Sequence, residues 1–272
     1  MLLMHRPPSL RLPARNPGAD RLVERFLIVS ATTIVVTRVF LGLTGYPQLG
    51  SPSLHIAHML WGGLLMLAAL FTLFIFVGKQ AKAAAAVIGG AGFGLFIDEV
   101  GKFVTRDNNY FFQPSFAIMY GVFVVLFIVF RQLSLQASAT QKRATSPSEI
   151  MEWLVTPRIA HIVFVVFCGT TFLQLLVSID VLKAAVDFWS VGGFVSAALA
   201  TLLVVRAVWL YGRRWSLGSL HALHAAIILS LLVLQFFDFY QAQLLAIFYV
   251  LINLAAYTTV DYRIRKLAHR PS

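Results

Sequence analysis

The chain has 272 residues, of which 59% are hydrophobic and only 12% charged. A soluble domain of this length cannot hide that much apolar surface in one core, so lipid is the expected solvent. The formal charge of +11 and the single cysteine, Cys168, complete the frame. The positive charge sits in short segments between long apolar runs, which is the pattern of membrane topology rather than of nucleic-acid binding. One cysteine excludes an intrachain disulfide and any multi-cysteine metal or iron–sulfur site.

Residues 1–25 carry scattered arginines and prolines with no continuous apolar core, which predicts a basic cytoplasmic tail rather than a signal peptide. Crossing about 30 Å of hydrocarbon takes about 20 helical residues. On that ruler the chain predicts an all-α integral membrane protein of about eight transmembrane helices, at 26–45, 54–77, 83–104, 112–130, 159–179, 188–211, 217–238 and 241–260. The last two are separated only by Asp238, Phe239, Tyr240 and Gln241, so a tight hairpin and one long broken helix both fit.

With both termini in the cytoplasm, all of the 22 lysines and arginines except Arg38, Lys102, Arg106 and Lys183 fall on the cytoplasmic side. This positive-inside asymmetry predicts the orientation, an even number of spans and residence in the plasma (inner) membrane. The polar stretch 132–157 is the one long loop between apolar runs. It separates a first four-helix half, 26–131, from a second, 158–262, and residues 263–272 form a second basic tail.

The halves share short matches. Trp61-Gly62-Gly63-Leu64 parallels Val191-Gly192-Gly193-Phe194, Phe96-Ile97-Asp98 parallels Phe236-Phe237-Asp238, and Ala117-Ile118-Met119-Tyr120 parallels Ala246-Ile247-Phe248-Tyr249. Four helices per repeat give a parallel pseudo-repeat about an axis along the membrane normal. Gly89, Gly90, Gly92 and Gly94 fit close helix packing in lipid, because no strand precedes them as a dinucleotide fingerprint requires.

Ionisable groups inside hydrocarbon cost about 2.5–3.5 kcal/mol each on insertion scales, so several at one depth suggest a shared site. Arg38, His55, His58, Asp98, Glu99 and Lys102 all fall near the outer ends of the first three predicted helices. His55 and His58 at i, i+3 project from one helical face, and with Asp98 or Glu99 they form a candidate divalent-metal set. Arg38, Lys102 or Arg106 then receives an anionic, membrane-associated substrate for metal-assisted chemistry. The plainer reading is an ion-pair network in which Lys102 neutralises one carboxylate and Arg38 the other.

A second histidine group, His161, His221 and His224, lies toward the cytoplasmic face. It fits a metal, a b-type haem held between two helices, or contact with anionic lipid headgroups beside Arg158, Arg213 and Arg214. Tyr110, Phe111, Phe112, Trp189, Phe239 and Tyr240 read as interfacial anchors.

The run Gly92-Phe93-Gly94-Leu95-Phe96-Ile97-Asp98-Glu99-Val100-Gly101-Lys102-Phe103, continued by Thr105-Arg106-Asp107-Asn108-Asn109-Tyr110-Phe111-Phe112, stands with His55-Ile56-Ala57-His58-Met59-Leu60-Trp61-Gly62-Gly63. Over roughly residues 54–131 it resembles the signature of an uncharacterised family of bacterial multi-pass membrane proteins, a resemblance that implies no activity. Four functions stay open: a metal-binding protein or enzyme, a proton or metal-ion transporter or channel, a haem electron-transfer protein, and a non-catalytic membrane subunit.

Overall fold

A computed structural model describes residues 16, 18–45, 50–51, 54–55, 58–106, 109–110, 112–138, 156–211 and 216–268. Most of them are helical. Helix α1 spans Ala19–Thr44, α2 His58–Ile75, α3 Lys79–Asp98, α4 Val100–Val104 and α5 Ser115–Ser138. Then come α6 at Pro157–Ala184, α7 at Phe188–Tyr211 and α8 at Leu217–Leu229. A π-helical turn at Ser230–Leu234 leads into α9, Gln235–Ala242, and a 3-10 turn at Gln243–Leu245 leads into α10, Ala246–Ala268. A two-residue antiparallel ribbon pairs Gly50 with His55 and Ser51 with Leu54.

Among the described residues, six helices are long and apolar enough to cross a membrane: Ala19–Thr44, His58–Ile75, Lys79–Asp98, Arg158–Ala184, Phe188–Tyr211 and the 51-residue run Leu217–Leu267. Ser115–Phe130 is a shorter apolar helix. These lengths are compatible with a multi-pass membrane protein.

Several predicted ends move. Helix α1 starts at Ala19 rather than 26, so Arg21 and Arg25 sit on helix, and α5 runs on to Ser138 rather than stopping at 130. The hydrocarbon ruler measures apolar length, and a helix continues past it wherever its backbone bonds go on being made. Helix α2 starts at His58 rather than 54, because Leu54 and His55 are paired in the ribbon. Helix α3 stops at Asp98 rather than running to 104, and Glu99, with φ −90° and ψ 11°, separates it from the single turn of α4.

The run Leu217–Leu267 turns back on itself, since α10 packs against both α8 and α9. Its reversal lies at Gln243, the one non-glycine residue with positive φ (50°) among those described, two residues beyond the predicted Asp238–Gln241 break.

Packing is carried by small residues. In α7 the buried positions are Ser190, Gly193, Ser196, Ala197, Ala200, Val204 and Ala207, while Val195, Leu199, Leu202 and Trp209 face outward. Small residues inside and large apolar ones outside is the arrangement expected where lipid is the solvent and close backbone approach drives association. Around them Phe167, Leu220, Leu223, Ala226 and Ile227 build the core of α6, α8 and α10.

The α3 glycines act the same way. A Cβ on Gly90 would lie 2.7 Å from the Phe26 carbonyl oxygen, on Gly94 2.6 Å from that of Ser30, and on Gly92 2.6 Å from that of Gly62. Gly90 and Gly94 therefore meet α1, and Gly92 meets α2.

The described residues form two compact units, one drawn from 1–96 with 127–142, the other from 97–126 with 143–272. The division passes through α3 and α5.

Candidate functional site

The second unit opens with the charged stretch of the sequence. Asp98 ends α3 and Glu99 follows outside it, and both are fully buried. Leaving the helix between them lets the two carboxylates take separate partners. The Lys102 ammonium lies 2.8 Å from Glu99 Oε1 and keeps 19% of its side chain exposed. The Tyr110 hydroxyl donates to Asp98 Oδ2 at 2.7 Å. Lys102 Nζ stands 5.3 Å from the centroid of the Tyr110 ring, within cation–π range.

Three local features return the chain to this point. The Thr105 hydroxyl donates to the Gly101 carbonyl at 2.8 Å and accepts the Asn109 backbone N–H at 2.7 Å. A Cβ at Gly101 would stand 2.6 Å from Ser115 Oγ and 2.7 Å from the Asn109 carbonyl oxygen, so only glycine lets 109–110 pass so close to α4. Gln113 Nε2 then donates to the Tyr240 carbonyl at 3.3 Å, which ties the start of α5 to the end of α9.

The Lys102 to Glu99 pair expected from the sequence forms, at i, i+3. Asp98 takes the Tyr110 hydroxyl, a partner the sequence reading missed by treating Tyr110 as an interfacial anchor. Arg38, 6% exposed, is buried in α1 within the first unit. His58 is the first residue of α2, and His55 lies in the preceding strand. The two histidines thus do not share a helical face, which removes the geometric premise for pairing them at i, i+3. Among the described residues no group of three His, Cys, Asp or Glu side chains is placed to hold a metal ion.

The other histidine group divides between exposed and half-buried positions. His161 and His221 are exposed on α6 and α8, whose buried faces carry Ala160, Phe167, Leu220 and Leu223. His224 is half-buried, its ring 5.3 Å from that of Tyr257 on α10.

Comparison with protein-family models, with curated proteins and with solved structures finds no match for this chain.

Proposed function

We propose that this chain is a plasma-membrane protein of about eight spans with both termini cytoplasmic, and that Asp98, Glu99, Lys102 and Tyr110 form a proton-handling centre serving transport. The span count is supported by five single crossings, the fold-back at Gln243 that divides Leu217–Leu267 in two, and Ser115–Phe130 as the remaining crossing. The distribution of lysine and arginine supports the orientation, which places the centre near the outer face and Arg158, Arg263 and Lys266 near anionic lipid headgroups.

The observation that carries the reading is a pair of fully buried, adjacent carboxylates, each held by its own proton-bearing partner, one of which reaches solvent. A proton moved from Lys102 Nζ to Glu99 Oε1 across their 2.8 Å contact converts an ion pair into two neutral groups that stay hydrogen-bonded. Tyr110 holds ionised Asp98 by donating, and by turning its hydroxyl can accept from protonated Asp98. Both protonation states of each carboxylate therefore keep a hydrogen bond. A metal-assisted reading draws on Asp98 and Glu99 as oxygen donors but lacks the shared helical face of His55 and His58.

The pseudo-repeat gains support from matching local packing. Gly62 meets Gly92 and Phe96 just before Asp98, and Gly192 meets the Phe237 ring just before Asp238. Each aspartate is buried and accepts a side-chain hydrogen bond, Asp98 from Tyr110 and Asp238 from Gln174.

The test is proton flux into proteoliposomes holding a pH-sensitive dye, driven by a potassium diffusion potential. Flux above empty liposomes that falls at least tenfold in Asp98→Asn and Glu99→Gln is expected. Wild-type flux equal to empty liposomes would sink the proposal, and stoichiometric metal in the purified protein that Asp98→Asn loses would restore the metal reading.

A further inference from the structure

Asp238 belongs to α9, five residues before the Gln243 reversal, and is only 9% exposed. Its Oδ2 accepts a hydrogen bond from Gln174 Nε2 of α6 at 2.6 Å. Gln235 lies three residues earlier on the same helix, which puts it on the same face, and is fully buried. Its Nε2 donates to Ser230 Oγ at 3.4 Å, and its Oε1 has no hydrogen-bond partner.

Across the hairpin, Asn253 of α10 is 2% exposed. Its Nδ2 donates to the Tyr249 carbonyl at 2.8 Å, and its Oδ1 likewise has no partner. Gln235 precedes Gln243 by eight residues and Asn253 follows Leu245 by eight. At about 1.5 Å per residue both stand about 12 Å from the reversal, on packed helices.

The backbone here is also irregular. The π turn Ser230–Leu234 adjoins Gln235, and the Tyr120 hydroxyl of α5 donates to the Leu231 carbonyl within it. The Tyr120 ring stacks on Phe239 at 4.7 Å, next to Asp238. Single π turns inside α-helices occur frequently at functional sites.

Buried acceptors without donors are rare in folded proteins. Here two amide oxygens of that kind lie at similar distances from one reversal on packed helices, and one of them is three residues from a buried carboxylate. All three are oxygens, the donor set of hard cations, and one carboxylate balances one positive charge. Gln174 fixes the carboxylate through Oδ2 and leaves Oδ1 for a ligand. We propose that Asp238, Gln235 and Asn253 bind a small monovalent cation of the sodium class inside the membrane-embedded part of the second unit. The site is separate from the Asp98 centre, and its test reads ion occupancy rather than proton flux, so either proposal can fail alone.

The experiment uses the full-length protein in detergent, with sodium chloride replaced stepwise by choline chloride at constant ionic strength. Two quantities are followed: the midpoint of thermal unfolding, and the rate at which a hydrophobic carbodiimide, which attacks protonated buried carboxyls, labels Asp238. Sodium is expected to raise the midpoint and to slow labelling about tenfold once its concentration is about ten times Kd. Gln235→Leu and Asn253→Leu should each weaken the sodium dependence tenfold or more, and Asp238→Asn should abolish it. If Asp238→Asn does not fold, the wild-type labelling and the two leucine variants still decide. Midpoint and labelling that are the same in sodium and choline would overturn the proposal, as would a sodium dependence left unchanged in both leucine variants.

Discussion

Tyr110 places its hydroxyl 2.7 Å from Oδ2 of Asp98, twelve residues back along the chain. The contact joins the loop before α5 to the end of α3, and it gives a buried carboxylate a hydrogen-bond donor. Hydrogen bonds to charged groups are worth about 1.5–3 kcal/mol, so Tyr110→Phe is expected to destabilise the protein by about 2 kcal/mol, measured by thermal unfolding in detergent. Gly101→Ala should cost more, because the new methyl group meets the Asn109 backbone and moves the loop itself. A Tyr110→Phe protein as stable as wild type would show that Asp98 does not depend on this donor.

The Glu99 and Lys102 pair calls for a double-mutant cycle. Removing one partner of a buried pair strands the other, at a cost of about 3–5 kcal/mol for complete burial. Lys102 keeps some solvent contact, so Lys102→Met is expected near the lower end, at about 3 kcal/mol. The double variant Glu99→Gln with Lys102→Met should recover most of that loss. Additive losses in the cycle would mean that the pair contributes no coupling.

Helix packing in the first unit offers a comparison between neighbours. A Cβ at Gly62 would stand 2.6 Å from the Gly92 carbonyl oxygen and 2.7 Å from the Phe96 nitrogen, both rigid backbone, whereas a Cβ at Gly63 meets nothing within 4 Å. Gly62→Ala should therefore force α2 and α3 apart and cost about 1–3 kcal/mol, and Gly63→Ala should be close to neutral. Equal unfolding midpoints for the two variants would contradict this helix contact.

These sites show what local pattern conveys and what it does not. Apolar run lengths made most of the helices legible, and the glycine spacing on α3 signalled close packing. The Lys102 to Glu99 pair was legible because i, i+3 is a local relation. Tyr110 was hidden because its partner depends on how the chain returns after α4, and the nearest clue was Gly101, a glycine with no turn of its own. The HxxH pattern is a further case: i, i+3 places two histidines on one helical face only if the helix includes both, and the helix starts at His58, with Leu54 paired to Ser51 and His55 to Gly50. Gln174 and Asp238 are 64 residues apart, and no periodicity announces such a contact.

Acidity enters at the start of α7. Asp187 Oδ1 accepts the Ser190 backbone N–H at 2.8 Å, while Ser190 Oγ accepts the Asp187 N–H at 2.9 Å, a reciprocal cap on the helix. The bond from the Ser190 backbone holds the exposed carboxyl below its ordinary range. A folded-state pKa lowered in this way stabilises the protein above the unfolded value of about 3.9 and loses that effect as pH falls through the folded value. The difference in unfolding midpoint between wild type and Asp187→Ala should be constant near neutral pH and shrink below about pH 4. A difference that stays constant through that range would show that the cap does not depend on the ionised carboxylate.

The reversal at Gln243 carries the last prediction. Its φ of 50° with ψ of −124° is a conformation that L residues rarely adopt and glycine enters freely. The hairpin needs this geometry, since α10 must turn at once to pack on α9 and α8. Residues held in such regions cost about 1–3 kcal/mol. Relief of that cost, partly offset by glycine's greater freedom in the unfolded chain, leaves Gln243→Gly more stable by about 1 kcal/mol. Gln243→Val should shift the midpoint the other way, because a β-branched side chain fits positive φ least well. Because Asp238 and Asn253 lie on opposite sides of the turn, the valine variant should also weaken the sodium dependence proposed for that site. A valine variant with wild-type stability would mean that the reversal does not require positive φ at this position.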